Sequence, residues 1–245
     1  MKIVIIVQAR MGSTRLPGKV MKQVMGKTLL EYLLERLQRV KKANDICVAT
    51  TTKPQERPIL DVCSRMSVKV FRGSEEDVLE RYFLAAQELK AEGIARVTSD
   101  CPLIDPVEMD KLIGYYLENM GKYDHIADSS QRTYPWGMSA EIFSFAALKQ
   151  AHENAVSEPE REHVTPYVKF HPELFRLGSF VFTENERDYR LTVDTPEDLQ
   201  LISMIIKRLY TVKPDFSIHD ILVLLKENPE WKEINSHVKQ KVVGG

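Results

Sequence analysis

Short apolar segments alternate with amphipathic, helix-like patterns through the first half of the chain. The first segment, residues 2–7, is a continuous run rich in β-branched residues, which is typical of a strand buried on both faces in a parallel sheet. Further apolar segments predict strands at 46–49, 68–71 and 94–98. The segments between them predict helices at 29–40, 59–66, 74–89 and 105–120. Strands and helices alternating in this way indicate βαβ units and an α/β fold with a mostly parallel sheet.

Residues that favour helix starts precede several of these helices. Thr28 and Glu31 match a capping box, in which a side chain and a backbone amide bond reciprocally. Asp105 followed by Pro106 suits an N-cap and a first helical turn. Ser217 has the same capping character before a final apolar stripe. These positions predict where the helices begin.

The regular alternation ends near residue 123 and returns only after residue 178. A strand is then predicted at 190–193, followed by a helix that starts at 195–198. We therefore expect one α/β domain over residues 1–215, with an insert at approximately 123–180. Residues 216–245 are expected to form a C-terminal helical appendage with a polar, peripheral tail.

Composition and charge narrow the class of protein. The formal net charge is −1, so no general basic field favours nucleic acid or an anionic membrane as a partner. No apolar segment approaches the length of a membrane span, and the opening run is too short for a secretory signal. The three cysteines form no CxxC pair and indicate reduced thiols. We expect a cytoplasmic protein whose anion sites are local clusters.

The first cluster of candidate chemistry is the segment 8–19, directly after the first predicted strand. It holds Arg10, Arg15 and Lys19 together with two glycines and two hydroxyls, a combination that suits phosphate binding. Its spacing excludes a P-loop, because five residues rather than four separate Gly12 from Gly18 and no hydroxyl residue follows Lys19. GxGxxG, the dinucleotide-binding pattern, is absent after the strand. A surface turn with solvated charges is the alternative interpretation.

Two carboxylates, Asp100 and Asp194, stand at the ends of predicted strands. Ligands of open α/β sheets bind outside the carboxyl ends of the strands, so these residues are expected near segment 8–19. Hard oxygen donors suit Mg²⁺, which takes one or two carboxylates together with phosphate oxygens and water. Either aspartate could instead be a helix-cap or turn residue.

Four sequence blocks carry a resemblance to a known family: 8–19, 72–79, 98–106 and 191–198. Together they resemble the cytidylyltransferase family of spore-coat polysaccharide biosynthesis protein F, which is similar to the acylneuraminate and deoxy-octulosonate cytidylyltransferases. The match is colinear over roughly residues 3–210. It implies a three-layer α/β/α, Rossmann-like and GT-A-like nucleotidyltransferase fold. It also implies CTP and Mg²⁺ as cosubstrate and cofactor, a CMP-sugar product for glycan synthesis, and a homodimer.

The resemblance also implies roles for individual residues. The residues implied in catalysis are Arg10, Arg15, Lys19 and Asp100, and the metal ligands are Asp100 and Asp194. The residues implied in nucleotide binding are Gln8, Ala9, Arg10, Met11, Gly12, Ser13, Arg15, Lys19, Thr50, Gly73, Ser74, Asp77, Val78 and Ser99. Ser99 departs from the glycine that the family usually has there, which puts the strictness of CTP preference in question.

The insert is expected to supply the sugar acceptor pocket, because aromatic faces with a few charged groups suit a polar sugar. The candidate residues are Tyr134, Trp136, Gly137, Glu141, Arg161, Glu162 and His163. His163 could instead be a surface or capping histidine. Arg161 and Glu162 could belong to a solvated helix face or a dimer contact. The sequence identifies neither the sugar nor a general base.

Two other functions share the same fold class. A metal-dependent GT-A glycosyltransferase that consumes a nucleotide sugar should carry Asp-x-Asp at a strand end, whereas this chain has only Asp100 there, before Cys101 and Pro102. A non-catalytic nucleotide-binding homologue is the third possibility, although the complete set of cations and carboxylates favours an enzyme.

Overall fold

The computed structural model describes residues 1–128 and 132–240. Its strands are β1 (Ile3–Gln8), β2 (Gln23–Val24), β3 (Lys27–Thr28), β4 (Asp45–Thr51), β5 (Lys69–Gly73), β6 (Gly93–Thr98), β7 (His125–Ala127), β8 (Glu141–Ser144) and β9 (Leu177–Ser179). Its α-helices are α1 (Leu29–Leu37), α2 (Arg57–Arg65), α3 (Val78–Glu88), α4 (Pro106–Glu118), α5 (Phe145–Asn154), α6 (Glu158–His163), α7 (Pro166–Phe170), α8 (Pro196–Leu209) and α9 (Ile218–Glu227). Short 3₁₀ segments lie at Lys19–Met21, Pro54–Glu56 and Pro229–Ile234.

In the described part of the chain, the main sheet has seven strands in the order β5-β4-β1-β6-β8-β7-β9. β8 runs antiparallel to its neighbours β6 and β7, and the other pairings are parallel. Gln8, the last residue of β1, is in register with Ala49 of β4 and Thr98 of β6. The carboxyl ends of these three strands therefore meet at one edge of the sheet.

Helices cover both faces of the sheet. Odd-numbered residues of β1, such as Ile5, pack with α1, α2 and α4, whereas even-numbered residues, such as Ile6, pack with α3, α5 and α7. This division follows from the alternation of side chains along a strand. A third apolar cluster joins α8 and α9 to Leu16 in the segment after β1. The arrangement confirms the predicted three-layer α/β/α fold with a mostly parallel sheet.

Most of the predicted elements before residue 123 are confirmed, with ends shifted by a few residues. Thr28 and Glu31 form the expected capping box at α1, and Asp105 caps α4. The prediction of a strand at 190–193 was wrong. There Arg190 makes a single bridge to Trp136, and the backbone N–H of Val193 donates to the Asp100 carbonyl at 2.8 Å. The backbone of this segment therefore pairs with loops, so it adds no strand to the sheet.

The region after residue 210 contains α9, which Ser217 caps as predicted, and Ser217 and Asp220 form a capping box there. The tail that follows is not entirely peripheral, because Asn235 is 2% exposed and contacts the interior. The last part of the predicted appendage, 241–245, and residues 129–131 of the predicted insert lie outside the described residues. Among the described residues, no helix combines the length and apolar character needed to cross a lipid bilayer.

Candidate active site

A cleft of about 230 Å³ opens at the carboxyl ends of β1 and β6. One wall is the segment 8–19, and Ser99, Asp100 and Asp194 lie beside it. The rest of the lining consists of Val78, Arg81, Thr98, Glu162 and His163. The structure therefore brings together the three segments that the sequence singled out, although the one that carries Asp194 follows no strand.

Buried contacts hold the segment 8–19 in shape. Gly18 has φ of +63°, a left-handed conformation that favours glycine, and its N–H donates to the Met11 carbonyl at 3.1 Å. The Met11 N–H donates to Oε2 of Glu56 at 2.9 Å. Glu56 is fully buried and also accepts from the hydroxyls of Thr50 and Thr51. Glu56 thus ties the loop to the end of β4, a role that no local sequence pattern revealed.

Lys19 lies between the two predicted metal ligands. Its Nζ is 3.1 Å from Oδ2 of Asp100 and 2.8 Å from Oδ1 of Asp194. Burial lowers the pKa of the Lys19 ammonium, but the charges of Asp100 and Asp194 outweigh burial and raise that pKa above its ordinary value. Lys19 therefore carries its charge at neutral pH.

Asp194 is held by cations on its other oxygen as well. Oδ2 is 3.0 Å from a terminal guanidinium nitrogen of Arg15 and 2.9 Å from one of Arg190. Burial raises the pKa of Asp194, yet Lys19, Arg15 and Arg190 together hold that pKa below its ordinary value. Asp194 is therefore ionised at neutral pH.

Arg190 belongs to a buried network beneath the cleft. Its Nε donates to Asp198 Oδ1 at 2.8 Å, and Asp198 in turn accepts from the backbone N–H of Asp194 at 2.9 Å. From the tail, Asn235 donates to Asp198 Oδ1 at 2.8 Å and to the Arg190 carbonyl at 3.0 Å. The position of Asp194 is therefore set by α8 and the C-terminal tail.

The carboxylate oxygens around Lys19 are suitable ligands for a magnesium ion. Two carboxylates converge on one cation, the ammonium of Lys19, which marks a point where a positive ion meets oxygens of both Asp100 and Asp194. Among residues 1–128 and 132–240 there is no group of three His, Cys, Asp or Glu side chains that could enclose a metal. Mg²⁺ needs no such enclosure, because it takes one or two carboxylates and completes its shell with phosphate oxygens and water.

Arg81, which is not among the predicted site residues, also lines the cleft. It is 2% exposed, donates to the Ser74 carbonyl at 2.5 Å and leaves its Nε without a partner. Burial lowers its pKa. One feature of the sequence could have identified Arg81 as a site residue. Residue 81 lies three positions after Val78 on the buried stripe of α3, where arginine is unusual.

The predicted nucleotide-binding residues fall into two groups. The residues that line the cleft are Gln8, Ala9, Arg10, Gly12, Ser13, Arg15, Lys19, Val78 and Ser99. The residues that do not line the cleft are Met11, Thr50, Gly73, Ser74 and Asp77. The contacts of this second group are structural: the Ser74 hydroxyl accepts from the Asp77 N–H, and Asp77 caps α3 and pairs with Arg161. Gly73 packs against Arg81, whose Cγ would be 3.2 Å from an added Cβ.

Two of the predicted acceptor residues, Glu162 and His163, line the cleft at the end of α6. Burial lowers the pKa of His163 below its ordinary value, so its imidazole is neutral at pH 7. The next residue, Val164, is buried with φ of +72°, an unfavourable conformation for a β-branched side chain. Strain of this kind is found where a chain must present particular side chains.

The structure does not bring the other predicted acceptor residues into the cleft. Tyr134 donates its hydroxyl to Glu108 at 2.6 Å, and Trp136 stacks under the guanidinium of Arg132 at 3.6 Å. Gly137 has φ of +89°, and a Cβ there would be 2.6 Å from a backbone nitrogen of the 191–193 segment. Tyr134 and Gly137 thus have local structural roles.

Glu141 and Arg161 also lie outside the cleft lining. Glu141 is 7% exposed and bonds to Arg96, His125 and Lys169. Arg161 binds Asp77 and the His152 carbonyl, which joins α6 to α3 and α5. Both charges are satisfied within the protein, which leaves Glu162 and His163 as the predicted acceptor residues at the cleft.

Comparison with known proteins places this site in a family. Residues 4–226 match the cytidylyltransferase family. The uncharacterized protein MJ1063 of Methanocaldococcus jannaschii is 40% identical over 98% of this chain and 97% of its own length. Spore coat polysaccharide biosynthesis protein SpsF of Bacillus subtilis is 33% identical over 93% of this chain and 95% of its own. The solved structure of a cytidylyltransferase from Leptospira borgpetersenii is 34% identical, with a TM-score of 0.91 and 99% of both chains covered.

These similarities confirm the family and the Rossmann-like nucleotidyltransferase fold that the sequence resemblance implied. They favour nucleotidyl transfer over the glycosyltransferase and the non-catalytic alternatives. The chain is a nucleotidyltransferase enzyme and belongs to the cytidylyltransferase family.

Proposed function

We propose that the enzyme transfers CMP from CTP to a sugar acceptor, with Mg²⁺ as cofactor and pyrophosphate as the second product. The observation that carries this proposal is the convergence of Lys19, Asp100 and Asp194 in a cleft whose wall also carries Arg10 and Arg15. Cations there suit a triphosphate, and the paired carboxylates suit the metal that accompanies it.

The chain's own residues would act mainly by positioning and charge. Such transfers depend on in-line geometry and on neutralising charge as the leaving group departs. In this proposal Arg10, Arg15 and Lys19 bind the triphosphate and stabilise the developing pyrophosphate. A magnesium ion held by Asp100 and Asp194 would polarise the phosphate and lower the pKa of the acceptor hydroxyl.

The acceptor side of the cleft is proposed to be the end of α6. Glu162 and His163 are the predicted acceptor residues that line the cleft, and both can accept hydrogen bonds from sugar hydroxyls. The proposal leaves out Tyr134, Trp136, Gly137, Glu141 and Arg161, because they lie outside the cleft lining. The acceptor itself is a keto-sugar acid or a related sugar, including a phosphorylated one.

A panel assay tests the reaction. CTP, ATP, GTP and UTP are each incubated with Mg²⁺ and with nine-carbon keto acids, eight-carbon keto acids or sugar phosphates, and pyrophosphate release is followed. The expected result is release that requires CTP, an acceptor and Mg²⁺ together. Release with no acceptor, or preference for another nucleotide, contradicts the proposal. The comparison with UTP also decides how strict the CTP preference is when Ser99 replaces glycine.

We further propose that the enzyme works as a cytoplasmic homodimer in the synthesis of a surface-glycan precursor. Support comes from the family resemblance and from similarity to a protein named for spore coat polysaccharide biosynthesis. Light scattering coupled to size exclusion measures the mass directly, and a single species at the chain mass of 28.2 kDa contradicts the dimer.

A further inference from the structure

Lys19 occupies the place between Asp100 and Asp194 where the proposed metal would bind. Its Nζ contacts Oδ2 of Asp100 and Oδ1 of Asp194, which are the oxygens that a metal held between these two carboxylates would use. The side chain of Lys19 is 15% exposed and that of Asp194 9%, so this ion pair lies largely out of water. An ammonium and a metal ion cannot both take these oxygens at these distances.

We infer that Lys19 is a resident counter-ion that competes with the divalent metal, so that the metal binds tightly only after a polyphosphate draws Lys19 away. The inference depends on the proposed function, because that function supplies the metal and the polyphosphate. It assigns Lys19 a positioning role beyond phosphate binding: it sets the order in which nucleotide and metal enter.

The contacts of Asp194 show which bonds would change. Within the described residues, Oδ1 receives Lys19, whereas Oδ2 receives Arg15 and Arg190. Removal of Lys19 would therefore free one oxygen of Asp194 and leave the other neutralised. A lysine suits this exchange, since its ammonium is a point charge on a flexible stem, whereas arginine binds through a rigid planar fork.

The balance of charge at the cleft also supports competition between Lys19 and the metal. Three cationic groups contact three carboxylates, so the cluster is neutral: the cations are Lys19, Arg15 and Arg190, and the carboxylates are Asp100, Asp194 and Asp198. A divalent ion entering this cluster alone would leave two uncompensated positive charges in a partly buried site, which is unfavourable. A triphosphate supplies the missing negative charge and gives Lys19 a new partner.

A nucleotide-free metal titration tests the inference. MnCl₂ is added to the protein and free Mn²⁺ is followed by its EPR signal, in wild type, Lys19→Met, Lys19→Arg and Lys22→Met. Lys22→Met is the matched control, since Lys22 is exposed and only three residues away. Lys19→Met is expected to bind Mn²⁺ about 5–150-fold more tightly than wild type, the range of typical coupling between two ligands. Lys19→Arg and Lys22→Met should stay near wild type.

Equal or weaker Mn²⁺ binding by Lys19→Met overturns the inference, and so does tighter binding by Lys22→Met of the same size. Circular dichroism checks that each variant is folded, and Lys19→Gln replaces Lys19→Met if that variant is not. The titration contains no nucleotide, so its outcome is independent of turnover. A wild-type enzyme that never releases pyrophosphate contradicts the proposed function, whereas unchanged Mn²⁺ affinity in Lys19→Met contradicts this inference alone.

Discussion

Arg190 and Asp194 lie four residues apart and are joined by a hydrogen bond of 2.9 Å between a guanidinium nitrogen and Oδ2. The same nitrogen also donates to Asp198 at 3.0 Å, so one side chain connects the proposed metal ligand to the first turn of α8. Arg190 is 6% exposed and Asp198 is fully buried. The orientation of Asp194 therefore depends on a buried ionic network beneath it.

Arg190→Lys tests this dependence. Lysine keeps the charge but cannot make the forked contact to Asp194 and Asp198, so the fold should persist while the carboxylate loses its fixed orientation. Changes to residues that support metal ligands typically cost 10–100-fold in affinity or activity, and we expect a loss of about that size in kcat/KM for CTP. Pyrophosphate release measures it, with exposed Arg187→Lys as the control. Full activity in Arg190→Lys would show that the network has no role in catalysis.

The parallel half of the sheet follows closely from the sequence, because β1, β4 and β6 are largely buried and their residues are mainly apolar. The elements after residue 123 do not. The strands β7 and β9 are only three residues long, too short for a periodic pattern, and their pairing depends on distant partners. A strand was predicted at 190–193, but the backbone of that segment bonds to loops instead.

The site also has a part that local sequence predicted and a part that depends on contacts between distant residues. The cations of segment 8–19 are close together in sequence and were found from sequence alone. Asp194 was expected beside them for the wrong reason, since no sheet strand carries it there. Glu56 and Asn235 each bond to a backbone atom of a residue that lies 45 positions away along the chain. Local patterns carry no information about contacts of that separation.

Lys19→Ala and Asp100→Ala should each lower kcat without unfolding the protein. In the proposed mechanism both residues act where charge develops on the leaving group, and removal of one such electrostatic contact typically costs on the order of 10²–10³ in kcat. Steady-state pyrophosphate release measures the loss, and circular dichroism checks the fold. Wild-type turnover in both variants would mean that these residues are not catalytic.

Arg81→Met should raise the KM for CTP while leaving thermal stability unchanged or improved. Arg81 makes no ion pair among the described residues, and a buried charge without a carboxylate partner costs stability that a hydrophobic residue does not. We expect the Arg81 guanidinium to bind the nucleotide, so its loss should cost roughly 1.5–3 kcal/mol, or about ten- to a hundredfold in KM. Arg57→Met, on an exposed face of α2, is the control. A lower melting temperature with an unchanged KM would assign Arg81 a structural role.

Glu141→Gln should destabilise the fold at neutral pH without changing the KM for the acceptor. Glu141 is buried against Arg96, His125 and Lys169, and removal of one partner from a buried ionic group typically costs about 3–5 kcal/mol. Burial raises the pKa of Glu141, but Lys169 and Arg96 outweigh burial and hold that pKa well below its ordinary value of 4.5. Its stabilising contribution is therefore complete above pH 4.5 and is lost as the pH falls through the depressed folded-state pKa.

The difference in unfolding free energy between wild type and Glu141→Gln should thus be constant above pH 4.5 and shrink at more acidic pH. Urea unfolding at a series of pH values measures this difference, and Glu153→Gln, on the surface of α5, is the control. A difference that does not shrink in acid would mean that the carboxylate charge contributes no stability. An acceptor KM that rises in Glu141→Gln, with stability unchanged, would instead return this residue to the acceptor pocket that its sequence context predicted.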